Sequence, residues 1–178
     1  PDSGEPIWYC GGIGDYICPS ITVQDGILYA IGGRSNKTIA VKSGGKGDVT
    51  DSHIVWQLSK GSNVCSPVYH DGHLYWSKEQ NGILYCVDVK SGEVVYEKRL
   101  TPESGLIYAS PLLASGRLYY VSRERRIYVV AAKPQFELLS HTTIPGDDSI
   151  FNASPVPLPG GAVLLRSDKF LYRMKPAN

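Results

Sequence analysis

His70 and His73 bracket Asp71-Gly72, and two imidazoles beside a carboxylate at the mouth of a hairpin are a donor set that can take a divalent metal. No third or fourth ligand stands at a recognisable spacing, so the pair reads as solvated histidines flanking a turn. His53 and His141 stand alone and read as surface side chains. Ser66, Ser110 and Ser154 each precede a proline, and none lies in the Gly-x-Ser-x-Gly elbow that strains and exposes a nucleophilic serine. Asp147-Asp148 is an isolated acidic pair in a Pro-Gly loop, without the series of Asp, Glu and Asn that forms a calcium loop. The cysteines, Cys10, Cys18, Cys65 and Cys86, match no zinc spacing. Cys10 and Cys18 face each other across a glycine-rich link and are the best-placed pair for a disulfide. Asn36-Lys37-Thr38 and Asn152-Ala153-Ser154 match glycosylation sequons, which matter only in a eukaryotic secretory pathway. No residue is assigned a catalytic, cofactor-binding or metal-ligating role.

The serines belong to a larger regularity. Pro19, Pro67, Pro111 and Pro155 recur at intervals of 48, 44 and 44 residues. Each is followed by a turn, Asp25-Gly26, Asp71-Gly72, Ser115-Gly116 or Gly160-Gly161, where glycine supplies the positive φ of a tight hairpin. A strand signature comes next, as Leu28-Tyr29, Leu74-Tyr75 and Leu118-Tyr119, with Val163-Leu164 as a degenerate fourth copy. Ile39, Leu84, Ile127 and Leu171 then open a third strand in each copy. Outer strands are expected at His53–Trp56, Glu93–Tyr96 and Phe136–Leu139. Four short strands per unit at a period near 44 residues predict an all-β propeller with four blades' worth of four-stranded antiparallel sheets. The repeats fall at about 13–57, 58–100, 101–140 and 141–178 within one segment, 1–178.

Composition agrees with many short strands joined by turns: 19 glycines, 12 prolines and 12 tyrosines against a single methionine. The net charge is +1 with both signs dispersed, so no footprint for nucleic acid is present, and Arg123, Arg125 and Arg126 are the only basic cluster. No apolar run reaches membrane-spanning length.

The segment Cys86-Val87-Asp88-Val89-Lys90-Ser91-Gly92-Glu93-Val94-Val95-Tyr96 resembles the motif of the PQQ-like repeat family, Ala-x-Asp-x-x-Thr-Gly-x-x-x-Trp. Gly61 to Tyr75 is similar to the linker and first hairpin of secreted bacterial PQQ-like repeat proteins, a group related to the propeller lipoprotein of outer-membrane β-barrel assembly. The resemblance implies that Asp88 and Ser91 tie down a turn and that Tyr96 packs between blades. It puts the chain in the periplasm or outside the cell. In the third copy Ala131 replaces the aspartate and Lys133-Pro134 replaces the turn. Cys86, in the place of a small alanine, reads as a buried free thiol.

Quinoprotein dehydrogenases carry the same repeat, and a fragment of one is the alternative reading. Many of them use a disulfide between adjacent cysteines against the quinone, and this chain has no adjacent cysteines. The reading carried forward is a non-catalytic scaffold without cofactor that binds a protein or a glycan. Its longest connections, Gly45 to Ser52 and Thr142 to Ile150, are the expected contact surfaces.

Strand counting gives one further expectation. Residues 7–12 read as an outer strand of a preceding blade, and the fourth copy ends near Lys175 without an outer strand. The chain is then half of a seven- or eight-bladed wheel, completed by the missing half of a longer chain or by a homodimer. In a closed four-bladed monomer the same N-terminal strand pairs within its own chain.

Overall fold

Alternation of apolar and polar residues between tight turns builds four separate antiparallel sheets in the computed structural model, which describes residues 3–175. Strand β1 (Trp8–Tyr9) precedes them. The first sheet holds β2 (Thr22–Gln24), β3 (Ile27–Gly32), β4 (Lys37–Lys42) and β6 (Ile54–Leu58), with β5 (Gly47–Asp48) and the one-turn helix α1 (Thr50–His53) between its last two strands. The second holds β7 (Val68–His70), β8 (His73–Ser77), β9 (Ile83–Asp88) and β10 (Val94–Arg99). The third holds β11 (Leu112–Ala114), β12 (Arg117–Val121), β13 (Arg126–Ala131) and β14 (Leu138–Thr143). The fourth has three strands: β15 (Val156–Pro157), β16 (Val163–Arg166) and β17 (Leu171–Met174).

The first hairpin of every sheet turns where glycine predicts it. Asp25-Gly26, Asp71-Gly72 and Ser115-Gly116 have positive φ at both positions, the backbone of a two-residue turn matched to strand twist, whereas Gly160-Gly161, also of positive φ, lie in a longer loop that holds a 3-10 turn, Pro159–Gly161. Between the third and fourth strands Asp88 Oδ1 accepts from the N–H groups of Lys90 and Ser91 and from Ser91 Oγ, at 2.9, 2.8 and 3.1 Å. The third blade closes the same turn without an aspartate, through Ala131 N–H to Glu137 O and a Lys133–Glu137 ion pair.

Each complete sheet carries a bulge at one place, between its third and fourth strands. Ala40 pairs with Trp56 and Val41 with Ile54; Cys86 pairs with Tyr96 and Val87 with Val94; Val129 pairs with Ser140 and Val130 with Leu138. The extra residues are Val55, Val95 and Leu139, which stand on the outer rim with 44, 41 and 43% of their surface exposed.

Sheets stack face to face in chain order. Tyr29, Ile31 and Ala40 of the first pack with Leu74, Trp76, Tyr85 and Val87 of the second. Tyr75, Leu84, Cys86 and Tyr96 of the second pack with Leu118, Tyr120, Tyr128 and Val130 of the third. A third cluster joins Val121 and Ile127 to Val163 and Leu165. No core cluster among the described residues joins the fourth sheet to the first.

A ladder of serines links the segments leading into the innermost strands. Ser20 N–H donates to Ser66 Oγ at 2.9 Å, Ser66 N–H to Ser110 Oγ at 2.9 Å, and Ser110 N–H to Ser154 Oγ at 3.0 Å. This corrects the sequence register of the first copy. The counterpart of Pro67 is Ile21 rather than Pro19, because the repeated element is the serine that bridges blades.

Residues 7–12, expected as an outer strand of a preceding blade, contribute β1, whose partner here is β5 in a two-residue parallel ladder. Gly47 and Val49 N–H donate to the Ile7 and Tyr9 carbonyls at 2.9 and 3.0 Å. The expected long connection at Gly45 to Ser52 is therefore an ordered appendage of the first blade. The third outer strand begins two residues later than expected, because Phe136 lies before β14 and its ring meets Tyr96 edge-on at 5.6 Å.

Candidate functional site

The fold disperses most of the residues that invited chemistry. His70 and His73 pair across their hairpin, and His73 Nδ1 lies 2.7 Å from the Asp71 carbonyl, engaged with its own turn. Among the described residues no group of three or more His, Cys, Asp or Glu side chains is placed to hold a metal. His53 Nδ1 lies 2.8 Å from Ser52 Oγ on α1, and His141 lies on β14 facing Tyr128.

All four cysteines are free, so the Cys10–Cys18 disulfide does not form. The two thiols are held apart by different anchors. Gly11 N–H donates to Thr50 Oγ1 beside the insertion, whereas Cys18 N–H donates to Asn63 O at the start of the second blade. Cys65 and Cys86 are buried, and burial pushes both thiols up to about 11. Cys65 Sγ donates to Ile107 O at 3.1 Å and accepts from Ser77 Oγ at 3.2 Å, which makes it a fastener between the second and third blades. Tyr75, Tyr96 and Tyr120 share that buried cluster, and burial raises all three phenols above their ordinary range.

Asp147, of the acidic pair in the Pro-Gly loop, is a buried carboxylate. Only 1% of its surface is exposed. Burial alone raises such a group, but the donors around it outweigh that and hold it well below the usual carboxylate range. Its Oδ1 accepts from Ser149 N–H and Oγ at 2.8 and 2.6 Å, and its Oδ2 accepts from Tyr172 Oη at 2.6 Å. Arg125 Nη1 donates to its carbonyl at 2.6 Å, so the connection expected at Thr142 to Ile150, which begins only after Thr143 because Thr142 and Thr143 still pair in β14, is pinned to the third and fourth blades. The Asp-x-Ser spacing was the signal available for this turn. Glu79 does similar work within the second blade, accepting from Ser62 Oγ and Asn63 N–H of its leading segment at 3.3 and 3.2 Å.

Two of the open clefts among the described residues bear on function. One of about 610 Å³ lies between the third and fourth blades, lined by Tyr119, Ile127, Ser140, His141, Val163 and Met174. Its origin is in the bulge register. Trp56 and Tyr96 occupy the equivalent place in the first two blades, where Trp56 Nε1 reaches across to Val89 O at 2.8 Å, and Ser140 occupies it in the third. A serine leaves empty the space that an aromatic ring fills elsewhere. The second cleft, about 520 Å³, holds the basic cluster Arg123, Arg125 and Arg126 with Glu124 and Asp148 among them. Arg123 lies over the Tyr108 ring at 4.5 Å, so this wall is mixed in sign and partly engaged.

No helix among the described residues is long and apolar enough to cross a membrane. No protein-family model matches the chain, and no curated protein matches it. Solved structures do. BamB from Moraxella catarrhalis superposes with a TM-score of 0.69 at 16% identity over 90% of this chain and 47% of its own, so the chain spans about half of that relative. The computationally designed Ika4 protein superposes with a TM-score of 0.70 at 9% identity, over 98% of this chain and 99% of its own. A europium-containing methanol dehydrogenase matches with a TM-score of 0.55 at 15% identity, over 72% of this chain and 25% of its own. At these identities the likeness concerns fold, and by fold the chain is a segment of a β-propeller.

Proposed function

We propose that this chain is a non-catalytic scaffold of PQQ-like repeats in the bacterial envelope, periplasmic or extracellular, that binds a protein or glycan partner through its loops. One observation carries the reading. The strongly displaced titratable groups Asp147, Cys65, Cys86, Tyr75, Tyr85, Tyr96 and Tyr120 lie within or between blades, and none of them lines one of the open clefts. Catalytic groups are tuned where substrate reaches them, and here the tuning serves the stacking of sheets. The wheel is completed by further blades, from a longer chain or from a second copy, because soluble proteins do not leave a blade face uncovered. Purified protein mixed with PQQ and calcium is expected to show no dye reduction with alcohol or aldose substrates. Turnover in that assay overturns the scaffold reading. A pull-down against envelope proteins, run beside a glycan array, identifies the partner class.

A further inference from the structure

The turn between β12 and β13 departs from its counterparts in the other complete blades. The residue immediately before the third strand is Asn36 in the first blade, Gly82 in the second and Arg125 in the third, with φ of +52, +57 and +61°. Asparagine and glycine are the residues that the left-handed region accepts most readily, whereas an arginine there is held against its backbone preference. Arg123 and Arg126 stand close by, so one short turn brings three arginines to the wall of the cleft of about 520 Å³. None of the three makes an ion pair among the described residues. Arg125 uses one nitrogen on a neutral acceptor, the Asp147 carbonyl, and Arg123 lies over the Tyr108 ring. The neighbouring acids are already engaged: Asp148 pairs with Lys169 at 2.7 Å, and the Glu124 carboxylate lies against Gly105 and reaches the Leu106 N–H at 3.5 Å. The cleft keeps an excess of positive charge.

We propose that this cleft binds an acidic peptide segment of a partner protein, a carboxylate side chain seated on the arginines and an adjoining apolar side chain against Leu106 and Ile150. The proposal rests on the scaffold reading and names the class of partner. A guanidinium presents a planar fork of N–H donors that fits a carboxylate through two parallel bonds. The apolar share of the wall comes from Leu106 and from Ile150, which is 39% exposed, with Thr143 beside them. An acidic glycan fits less well. Sugar rings settle on open aromatic faces, whereas no aromatic residue lines this cleft and the Tyr108 ring is covered by Arg123. The volume is that of a small-ligand pocket, enough for a few side chains rather than a folded surface. Its walls come from the β12–β13 turn, the end of β14 and the linkers before and after the third blade, all within residues 106–150. The cleft is therefore independent of what adjoins the first and fourth blades.

An array of hexapeptides that set one or two Asp or Glu residues beside Leu or Ile, printed with their Asn and Gln counterparts and with oligogalacturonates, tests the assignment on the 178-residue chain. Acidic peptides are expected to bind, and their amide counterparts to bind on the order of tenfold more weakly, since the charge-assisted bonds are lost. Binding is expected to fall as salt rises. Arg126→Glu is expected to abolish it, whereas Lys98→Glu, the same charge reversal on the exposed outer strand of the second blade, leaves it unchanged. Circular dichroism checks that both variants keep the native fold. Hydrogen exchange on the unmodified chain is expected to show peptide protection at residues 123–126 and 143–150. Absence of saturable binding, or amide peptides that bind as tightly as acidic ones, overturns the assignment. So do oligogalacturonates that bind in place of the peptides, an equal loss in Lys98→Glu protein, or protection confined to other residues. Dye reduction in the PQQ assay overturns the scaffold reading instead, whereas failed peptide binding without turnover removes this assignment alone.

Discussion

The seam between the second and third blades and the seam between the third and fourth are built from the same repeat, yet only one is full. At the first, Tyr96 leaves the outer strand, meets Phe136 edge-on and lies over Tyr75, while Tyr120 and Tyr128 close the interior. At the second, Ser140 stands where Tyr96 stands, and a 610 Å³ cleft opens beside it. What replaces the ring is polar: the Asp147 turn, held by Ser149, Tyr172 and Arg125. Two fastening schemes thus serve one architecture. An aromatic from the outer strand secures one seam, and a buried carboxylate in the linker secures the other.

The comparison breaks most severely at Tyr120. Tyr120→Ala is expected to cost about 3–5 kcal/mol, the range for removing a fully buried aromatic, whereas Tyr119→Ala on the cleft wall is expected to cost about 1 kcal/mol. Urea unfolding of the two variants measures the difference between a packed seam and an open one. Gly92→Ala comes next. Gly92 has φ +74°, and an added Cβ meets the Trp56 ring at 2.7 Å. A loss of about 2 kcal/mol is expected from the backbone conformation together with the displaced indole, read as a lower urea midpoint with an unchanged slope. Ser140→Tyr sharpens the comparison in the opposite direction. It places the missing ring in the cleft and is expected to stabilise the chain by about 1 kcal/mol, seen as a higher unfolding midpoint.

Acid separates the two schemes without a large free-energy change at neutral pH. The folded state holds the Asp147 carboxyl below its unfolded value, so its contribution is complete above that value, about 3.9, and is lost as pH falls through the folded one. Asp147→Asn is expected to flatten the acid limb of the stability profile, while Tyr96→Phe leaves that limb unchanged. The smallest effect is chemical rather than energetic. With burial raising Cys65 and Cys86, a thiol reagent near neutral pH is expected to modify Cys10 and Cys18 in native protein, and all four cysteines only after unfolding.

The blades were legible because their turns are written in residues with one use. Paired positive φ at Asp25-Gly26 or Asp71-Gly72 admits few side chains, and those residues recur at the repeat period. The first register was misread for a related reason. Pro19 is the more conspicuous residue, but Ser20 makes the rung, and a proline preceding the serine looks in sequence like the Ser-Pro of the other copies. The cleft is harder to foresee, since Ser140 takes the Tyr96 position only after the bulge is counted, and a bulge adds a residue without a composition signal of its own. Asp147 was seen as one of an isolated pair. Its burial depends on Tyr172, 25 residues away in a different blade, a distance that local patterns do not span.

The bulges at Val55, Val95 and Leu139 carry one more consequence. An outermost strand offers its backbone groups to any passing extended chain, and stacking of such edges is how sheet proteins come out of solution. An extra residue bends that strand and breaks the regular spacing of its donors and acceptors, so each complete blade spoils its own edge as a template. The apolar rim residues Val55, Val95 and Leu139 mark the places where that edge is interrupted. β17 ends the fourth blade without such an interruption, its four residues in regular antiparallel register with β16.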